Sequence, residues 1–298
     1  METVPDNFLG LEPRYSDYVR SRYAVLPVPY DATTSFQAGT RNGPRAIITA
    51  SQQVELFDDE LGGEFHAAGI ATLTPLAPDM AGPEQMLDTV HRTARRVVRD
   101  SKFLLTLGGE HSITSALVRA VRARHKKLSV LQIDAHADLR DAYEGTPFSH
   151  ACVMRRIVEM GVPVVPVGIR SYSKEEAAYM RRRGLSCITA RQAMVDEAWI
   201  DRVLAGLSGD VYVTIDIDGF DPACAPGTGT PEPGGLGWYQ VTDLLRAVAA
   251  RFRIVAADVV EVMPIPGTMQ TEFLAAKLAY KLIAYTQQAA SEPRRRAR

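Results

Sequence analysis

The sequence predicts an α/β fold built on one mostly parallel sheet, and three observations lead there. Short runs rich in Val, Ile and Leu alternate with amphipathic helical patterns along the whole chain. Several of these runs are apolar throughout, as strands covered on both faces are. Three of them end in Asp or His, and an open parallel sheet builds its sites at the C-terminal ends of its strands.

In chain order, the expected strands are Ala24–Val28, Ile70–Leu73, Phe103–Leu107, Leu128–Ile133, Val164–Val167, Leu185–Ile188, Val211–Ile217 and Ile254–Val262. Helices are expected between them, near Pro44–Val54, Ser112–Arg124, Ala151–Glu159, Lys174–Arg182, Asp196–Ala205, Val241–Arg251 and Glu272–Gln287. A further helix opens at Pro83 and Glu84, where Met86, Leu87, Val90, Ala94, Val97 and Val98 recur at helical spacing. Arg181–Arg183 suit the C-terminal dipole of their helix. Pro222–Gly237 reads as a long loop, and long loops after strands often carry function. No linker or repeat interrupts the pattern, so one domain is expected over 1–298. It would have an N-terminal extension to about residue 22 and a solvated basic tail from about 291, with Arg294–Arg296 and Arg298.

Composition narrows the class. The 298 residues are 46% hydrophobic and 23% charged, which is ordinary for a globular protein with a sizeable core. A net charge of −1 gives no basic field to attract nucleic acid. Three widely spaced cysteines, Cys152, Cys187 and Cys224, form no CxxC pair and no even disulfide set. With no apolar leader after Met1 and no run long enough to span a bilayer, a cytoplasmic location is expected, without membrane contact.

The chemistry begins at Asp134-Ala-His-Ala-Asp138, directly after Leu128–Ile133. Alternating positions share one face of a strand, so Asp134, His136 and Asp138 can converge at its end. Taken alone, the pattern fits an acidic loop as well as a metal site. A second alternating pair, Asp216 and Asp218, ends the run Val211–Ile217, where an unpaired buried carboxylate is costly. A third strand runs through Gly108-Gly109-Glu110 into His111. Two imidazoles and four carboxylates are too many for one tetrahedral zinc and fit two divalent ions sharing carboxylates. Mn²⁺ suits such ligands first, with Ni²⁺, Co²⁺ and Zn²⁺ as rivals. A metal pair lowers the pKa of a shared water from about 15.7 towards roughly 7, so metal-assisted hydrolysis is the expected reaction class.

Gly108-Gly-Glu-His-Ser112, Asp134-Ala-His-Ala-Asp138 and Asp216-Ile-Asp-Gly-Phe-Asp-Pro222 together resemble the three signatures of the ureohydrolases, the arginase and agmatinase family. The resemblance runs from about Ala24 to Tyr285. It implies a three-layer α/β/α, arginase-like fold with an eight-stranded sheet, and hydrolysis of a guanidinium group to urea and an amine with two Mn²⁺. By residue, it implies that His111 and Asp138 ligate the first metal, His136 and Asp218 the second, and that Asp134 and Asp216 bridge. His150 would carry a proton to the leaving amine, and Glu261 would hold the guanidinium plane. Asp258 could orient His111 or be a plain buried polar residue. Relatives of this kind are often trimers or hexamers, so a homo-oligomer is expected.

The short loop Leu139–Phe148, with Val28–Ser35 and Gly227–Gly235, resembles the agmatinase branch, which implies agmatine cleaved to urea and putrescine. Asp141 and Glu144 are available to face the amine tail, or are simply a solvated acidic loop. Arg140 would instead suit a guanidino acid such as 4-guanidinobutyrate. Aminopropylagmatine, arginine and guanidine remain alternatives. Met263-Pro-Ile-Pro-Gly267 departs from the Asn-Pro and following Asp of many relatives. A one-zinc deacetylase of the same fold would not need both His111 and the second Asp pair, Asp216 and Asp218. A phosphoesterase would need a cationic clamp that the motifs lack. A non-catalytic homologue would have a broken ligand set.

Overall fold

The computed structural model describes residues 1–291. Strands β1 (Tyr23–Val28), β2 (Ile70–Thr72), β3 (Phe103–Gly108), β4 (Leu128–Ile133), β5 (Val164–Ile169), β6 (Ile188–Thr189), β7 (Asp210–Asp216) and β8 (Arg253–Val260) form one sheet. Its spatial order is β2-β1-β3-β8-β7-β4-β5-β6. All seven pairings are parallel.

Alternate residues along the strands feed two separate apolar layers. Val25, Leu105, Leu131, Val213 and Val259 belong to one, packed beneath helices Gly43–Ser51, Trp238–Arg251 and Gln270–Ser291. Ala24, Leu26, Leu104, Val130 and Val260 belong to the other, beneath helices Pro83–Arg99, Thr114–Arg122 and Val153–Glu159. Helices on both faces make the three-layer α/β/α arrangement that the resemblance implies. They also explain why these strands are apolar without alternation. The first residues join the same core: Phe8, Leu9 and Leu11 are buried in it, and the Phe8 N–H donates to Thr72 Oγ1 at 2.8 Å.

Several boundaries differ from the sequence expectation. The sixth strand is Ile188–Thr189, not Leu185–Ile188. Helix Lys174–Arg183 ends on Gly184 at φ 63°, and the chain pairs with the sheet only at its edge. Strand β8 stops at Val260 because Glu261 takes a left-handed φ of 62°. The helix expected at Asp196–Ala205 starts at Trp199, preceded by an unforeseen short helix Ala190–Val195 capped by Thr189 and Gln192. A small hairpin, Phe57–Asp58 with Gly63–Glu64, is also new. No helix among the described residues is long and apolar enough to cross a membrane. The basic tail expected from about 291 lies outside the described residues, Ser291 apart.

Candidate metal centre and active site

The four central strands, β3, β8, β7 and β4, all open onto one cleft of about 350 Å³. The order reverses here, since the chain fills β3 and β4 first and inserts β7 and β8 between them later. A switch point of this kind leaves a crevice beyond the strand ends. From β3 come Glu110 and His111, from β4 Asp134 to Asp138, from β7 Asp216 and Asp218, and from β8 Glu261.

The candidate ligand atoms form two clusters, His111 with Asp134 and Asp216, and Asp134 with His136 and Asp218. Asp134 belongs to both. His111 Nδ1 lies 3.2 Å from Asp134 Oδ2, 3.1 Å from Asp138 Oδ2 and 3.4 Å from Asp216 Oδ2. It nevertheless makes no hydrogen bond, although it is buried. A nitrogen aimed between three carboxylates rather than at one is what a shared cation needs. His136 Nδ1 lies 2.9 Å from Asp218 Oδ2 in the second cluster. The donor set of imidazole and carboxylate therefore fits a pair of divalent ions.

Backbone and second-layer contacts fix these side chains. Asp134 Oδ1 accepts from the His136 N–H at 2.6 Å and Oδ2 from Gln132 Nε2 at 2.9 Å. Asp216 Oδ1 accepts from the Asp218 N–H, and Asp218 Oδ1 from the Ala135 N–H, both at 3.0 Å. The far nitrogen of His111 meets Thr214 Oγ1 at 2.8 Å, and Thr214 donates to Asp258 Oδ1 at 2.6 Å. Asp258 thus reaches His111 through Thr214, and its other oxygen accepts from Thr114 at 2.9 Å. His136 is the most open of the six, and Glu232, at 3.8 Å, is the nearest acid to its far nitrogen among the described residues. Asp138 sits at φ 53°, a strained backbone that turns its carboxylate back to His111.

So many acids in one buried volume share protons when no cation is present. Burial and then the Asp134 charge raise Asp138 to about 7. Burial and the charges of Asp218 and Asp134 raise Asp216 well above the carboxylate range. Burial opposes charge on the imidazoles, but the carboxylates win, raising His136 to about 11 and His111 well above its ordinary value.

Glu261 forms part of the cleft wall, with one oxygen accepting from the His111 N–H at 2.7 Å. Burial, then the charge of neighbouring Glu110, pushes it well above the usual carboxylate range. Such a group favours a cationic partner. His150 lines the same cleft, and burial lowers it to about 4. The Tyr143 ring meets His150 edge-on, and the Arg140 guanidinium lies over Tyr143 at 4.9 Å, so Arg140 is stacked into the wall.

Two candidates lie elsewhere. The structure does not bring Asp141 into the cleft: its carboxylate is exposed and held by Arg156 at 2.9 Å and Arg155 at 3.5 Å. Glu144 is exposed at φ 48° in the turn between Tyr143 and Thr146 and does not line the cleft. Besides the candidate ligands and Glu261, Glu176 lines it, buried and accepting from the Leu139 and Ser173 N–H groups. Its motif, Ser173-x-x-Glu176, is readable as a capping box, but its place in the cleft is not. Sequence reasoning also missed Arg170, which donates to the carbonyls of Asp218 at 2.7 Å, Phe220 at 3.2 Å, Glu232 at 2.6 Å, Pro233 at 3.1 Å and Gly168 at 3.1 Å. That fork ties the Asp218 turn to the loop Pro222–Gly237. Met263, in the departing segment, closes the loop's other side by donating its N–H to Gly227 O at 2.8 Å.

The Arginase family model matches residues 21–284. An N(1)-aminopropylagmatine ureohydrolase of Synechocystis sp. is 42% identical over 94% of this chain and 94% of its own. An agmatinase of Pyrococcus horikoshii is 36% identical over 88% of this chain and 90% of its own. The crystal structure of agmatine ureohydrolase of Thermoplasma volcanium superposes with a TM-score of 0.86 at 32% identity, covering 97% of this chain and 96% of that one.

Proposed function

The chain belongs to the arginase family, hydrolases acting on amidine C–N bonds, and from that premise we propose that it cleaves urea from an amine-tailed guanidine of the agmatine class. The observation that carries the reading is the pair of His/Asp clusters sharing Asp134 in the same cleft as a buried, charge-seeking Glu261.

His111 and Asp138 would hold one ion, His136 and Asp218 the other, with Asp134 and Asp216 between them. Mn²⁺ is the expected metal, with Ni²⁺, Co²⁺ and Zn²⁺ as alternatives. When bound, the ions supply a water acidified enough to attack at neutral pH. Glu261 orients the guanidinium through its free oxygen, which keeps the reacting carbon facing the ligand carboxylates. Asp138 and His150 manage the proton that the leaving nitrogen needs.

For the tail, the walls offer a buried acid in Glu176 and the half-exposed ring of Tyr172, suited to a methylene chain ending in ammonium. Agmatine fits, giving urea and putrescine. The aminopropyl-extended form is favoured by the name of the Synechocystis relative. A guanidino acid is the second reading, favoured by Arg140 in the wall. Urea release from agmatine, N(1)-aminopropylagmatine, 4-guanidinobutyrate, arginine and guanidine, each with Mn²⁺ and with Ni²⁺, tests the proposal. Urea from the amine-tailed substrates supports it, and activity confined to the acids overturns it.

A further inference from the structure

Behind His150 a chain of hydrogen bonds leads away from the cleft. The Thr33 hydroxyl donates to Glu110 Oε1 at 2.6 Å, and the Thr33 N–H donates to Glu110 Oε2 at 2.6 Å. The Ser112 hydroxyl donates to the same carboxylate. Glu110 is fully buried, so three donors satisfy it and hold it still. The same Thr33 oxygen accepts from the His150 backbone N–H at 3.1 Å and lies 3.4 Å from His150 Nδ1.

A hydroxyl has one proton to donate. With that proton on Glu110, Thr33 can only accept from the imidazole. Nδ1 then carries the N–H, and Nε2 keeps the free lone pair. Ser149 Oγ, 3.3 Å from Nδ1, is the competing partner, because a serine turned to donate there would favour the other tautomer. Serine already accepts from the Ala151 N–H, which leaves a second lone pair for Nδ1–H. The Tyr143 ring, edge-on at 5.9 Å, limits rotation of the imidazole.

We propose that Thr33 and Glu110 are positioning residues that hold His150 as its Nδ1–H tautomer, so that Nε2 is the nitrogen that exchanges a proton with the reaction. This rests on His150 as the proton carrier. In the balanced step, Nε2 takes a proton released by the attacking water. As the water oxygen bonds to the guanidinium carbon and the C–N bond breaks, the C–N electron pair moves to the leaving nitrogen, which takes that proton from Nε2; the water's second proton reaches the same nitrogen by way of Asp138, so neutral urea and an ammonium leave and the imidazole ends neutral. Glu110 and Thr33 exchange nothing; they fix which nitrogen is available, as the carboxylate does in a Ser-His-Asp triad.

Ring-nitrogen NMR of protein labelled with ¹⁵N-histidine tests this, with His150→Asn identifying the signal among six histidines. The wild type should show the Nδ1–H tautomer. Thr33→Val should lose the fixed tautomer and lower kcat on agmatine about 10²-fold at unchanged KM. Thr33→Ser should restore both. The loss should largely vanish on an arylguanidine, whose weakly basic leaving amine needs less proton delivery. An Nε2–H tautomer in the wild type, or a Thr33→Val protein with unchanged kcat, overturns the proposal. If His150→Asn is impaired and Thr33→Val is not, the positioning role alone fails. If His150→Asn is also unimpaired, the proton-carrier reading falls with it. Should Thr33→Val fail to fold, the wild-type spectrum and Thr33→Ser still decide.

Discussion

His111 Nδ1 and Asp138 Oδ2 stand 3.1 Å apart in a buried site without a hydrogen bond between them. The nitrogen points instead into the space enclosed by Asp134, Asp138 and Asp216. The imidazoles and carboxylates here bind protons when no cation is present, and a cation must displace them.

Metal binding should therefore release protons. His111 and His136 are raised, the latter to about 11, and Asp138 is raised to about 7, so the site without a cation holds protons at neutral pH. Raising the pH removes the competitor and should tighten metal binding; lowering it should weaken binding. Calorimetric titration in two buffers of different ionisation enthalpy measures the release. Identical heats in both buffers would contradict it.

Thr214→Val should weaken metal binding without unfolding the protein. Thr214 joins His111 Nε2 to Asp258, and losing such an orienting partner costs about 10- to 100-fold in metal affinity. Stability should fall by about 1–3 kcal/mol, because Asp258 keeps Tyr212 and Thr114. Metal titration together with urea unfolding separates the two effects.

Arg170→Lys should loosen the second ion position. One ammonium cannot reproduce a planar fork that reaches the carbonyls of Asp218, Glu232 and Pro233. We expect metal affinity to fall by about 10-fold or more, with a larger fall for the ion beside His136 and Asp218. Two-site analysis of the titration reads this directly, and equal weakening at both positions would argue against it.

Away from the site, Lys281→Met should destabilise the fold by about 3 kcal/mol, since it removes the cation 2.9 Å from the buried Asp58 and leaves Glu60 with only Tyr285 and the exposed Arg246 among the described residues. Burial raises Glu60, but hydrogen bonds from Lys281 and Tyr285 outweigh it and leave the pKa lowered. A lowered carboxyl stabilises the fold above its unfolded value of about 4.3 and ceases to as the pH falls through its folded value. The variant's stability should therefore fall less steeply in acid. Chemical unfolding from pH 3 to pH 7 (about one point per unit) checks the slope.

The parts of the site legible in the sequence are those carried by one strand end. Asp134, His136 and Asp138 share a spacing that works only beyond β4, and Asp216 and Asp218 do the same beyond β7. Apolar runs without alternation likewise announced strands covered on both faces. What escaped depends on partners far along the chain. Glu176 looks like a helix cap until Leu139 is seen beside it, and Thr33 gains meaning only from Glu110 and His150. From the sequence Asp141 reads either as an acid facing the amine tail or as part of a solvated acidic loop, and Arg155 and Arg156, which hold it at the outer surface, decide for the second. The two-residue β6 illustrates the same limit, since Leu185–Cys187 have strand composition but no neighbour to pair with.

The most direct test is a competition assay in one vessel. Metal-loaded protein is given equal amounts of N(1)-aminopropylagmatine, agmatine and 4-guanidinobutyrate, and the amines and urea released are identified by mass spectrometry. Urea with putrescine and the longer triamine is expected, with little or no 4-aminobutyrate. Release of 4-aminobutyrate alone, or no urea from any substrate with either Mn²⁺ or Ni²⁺, would contradict it.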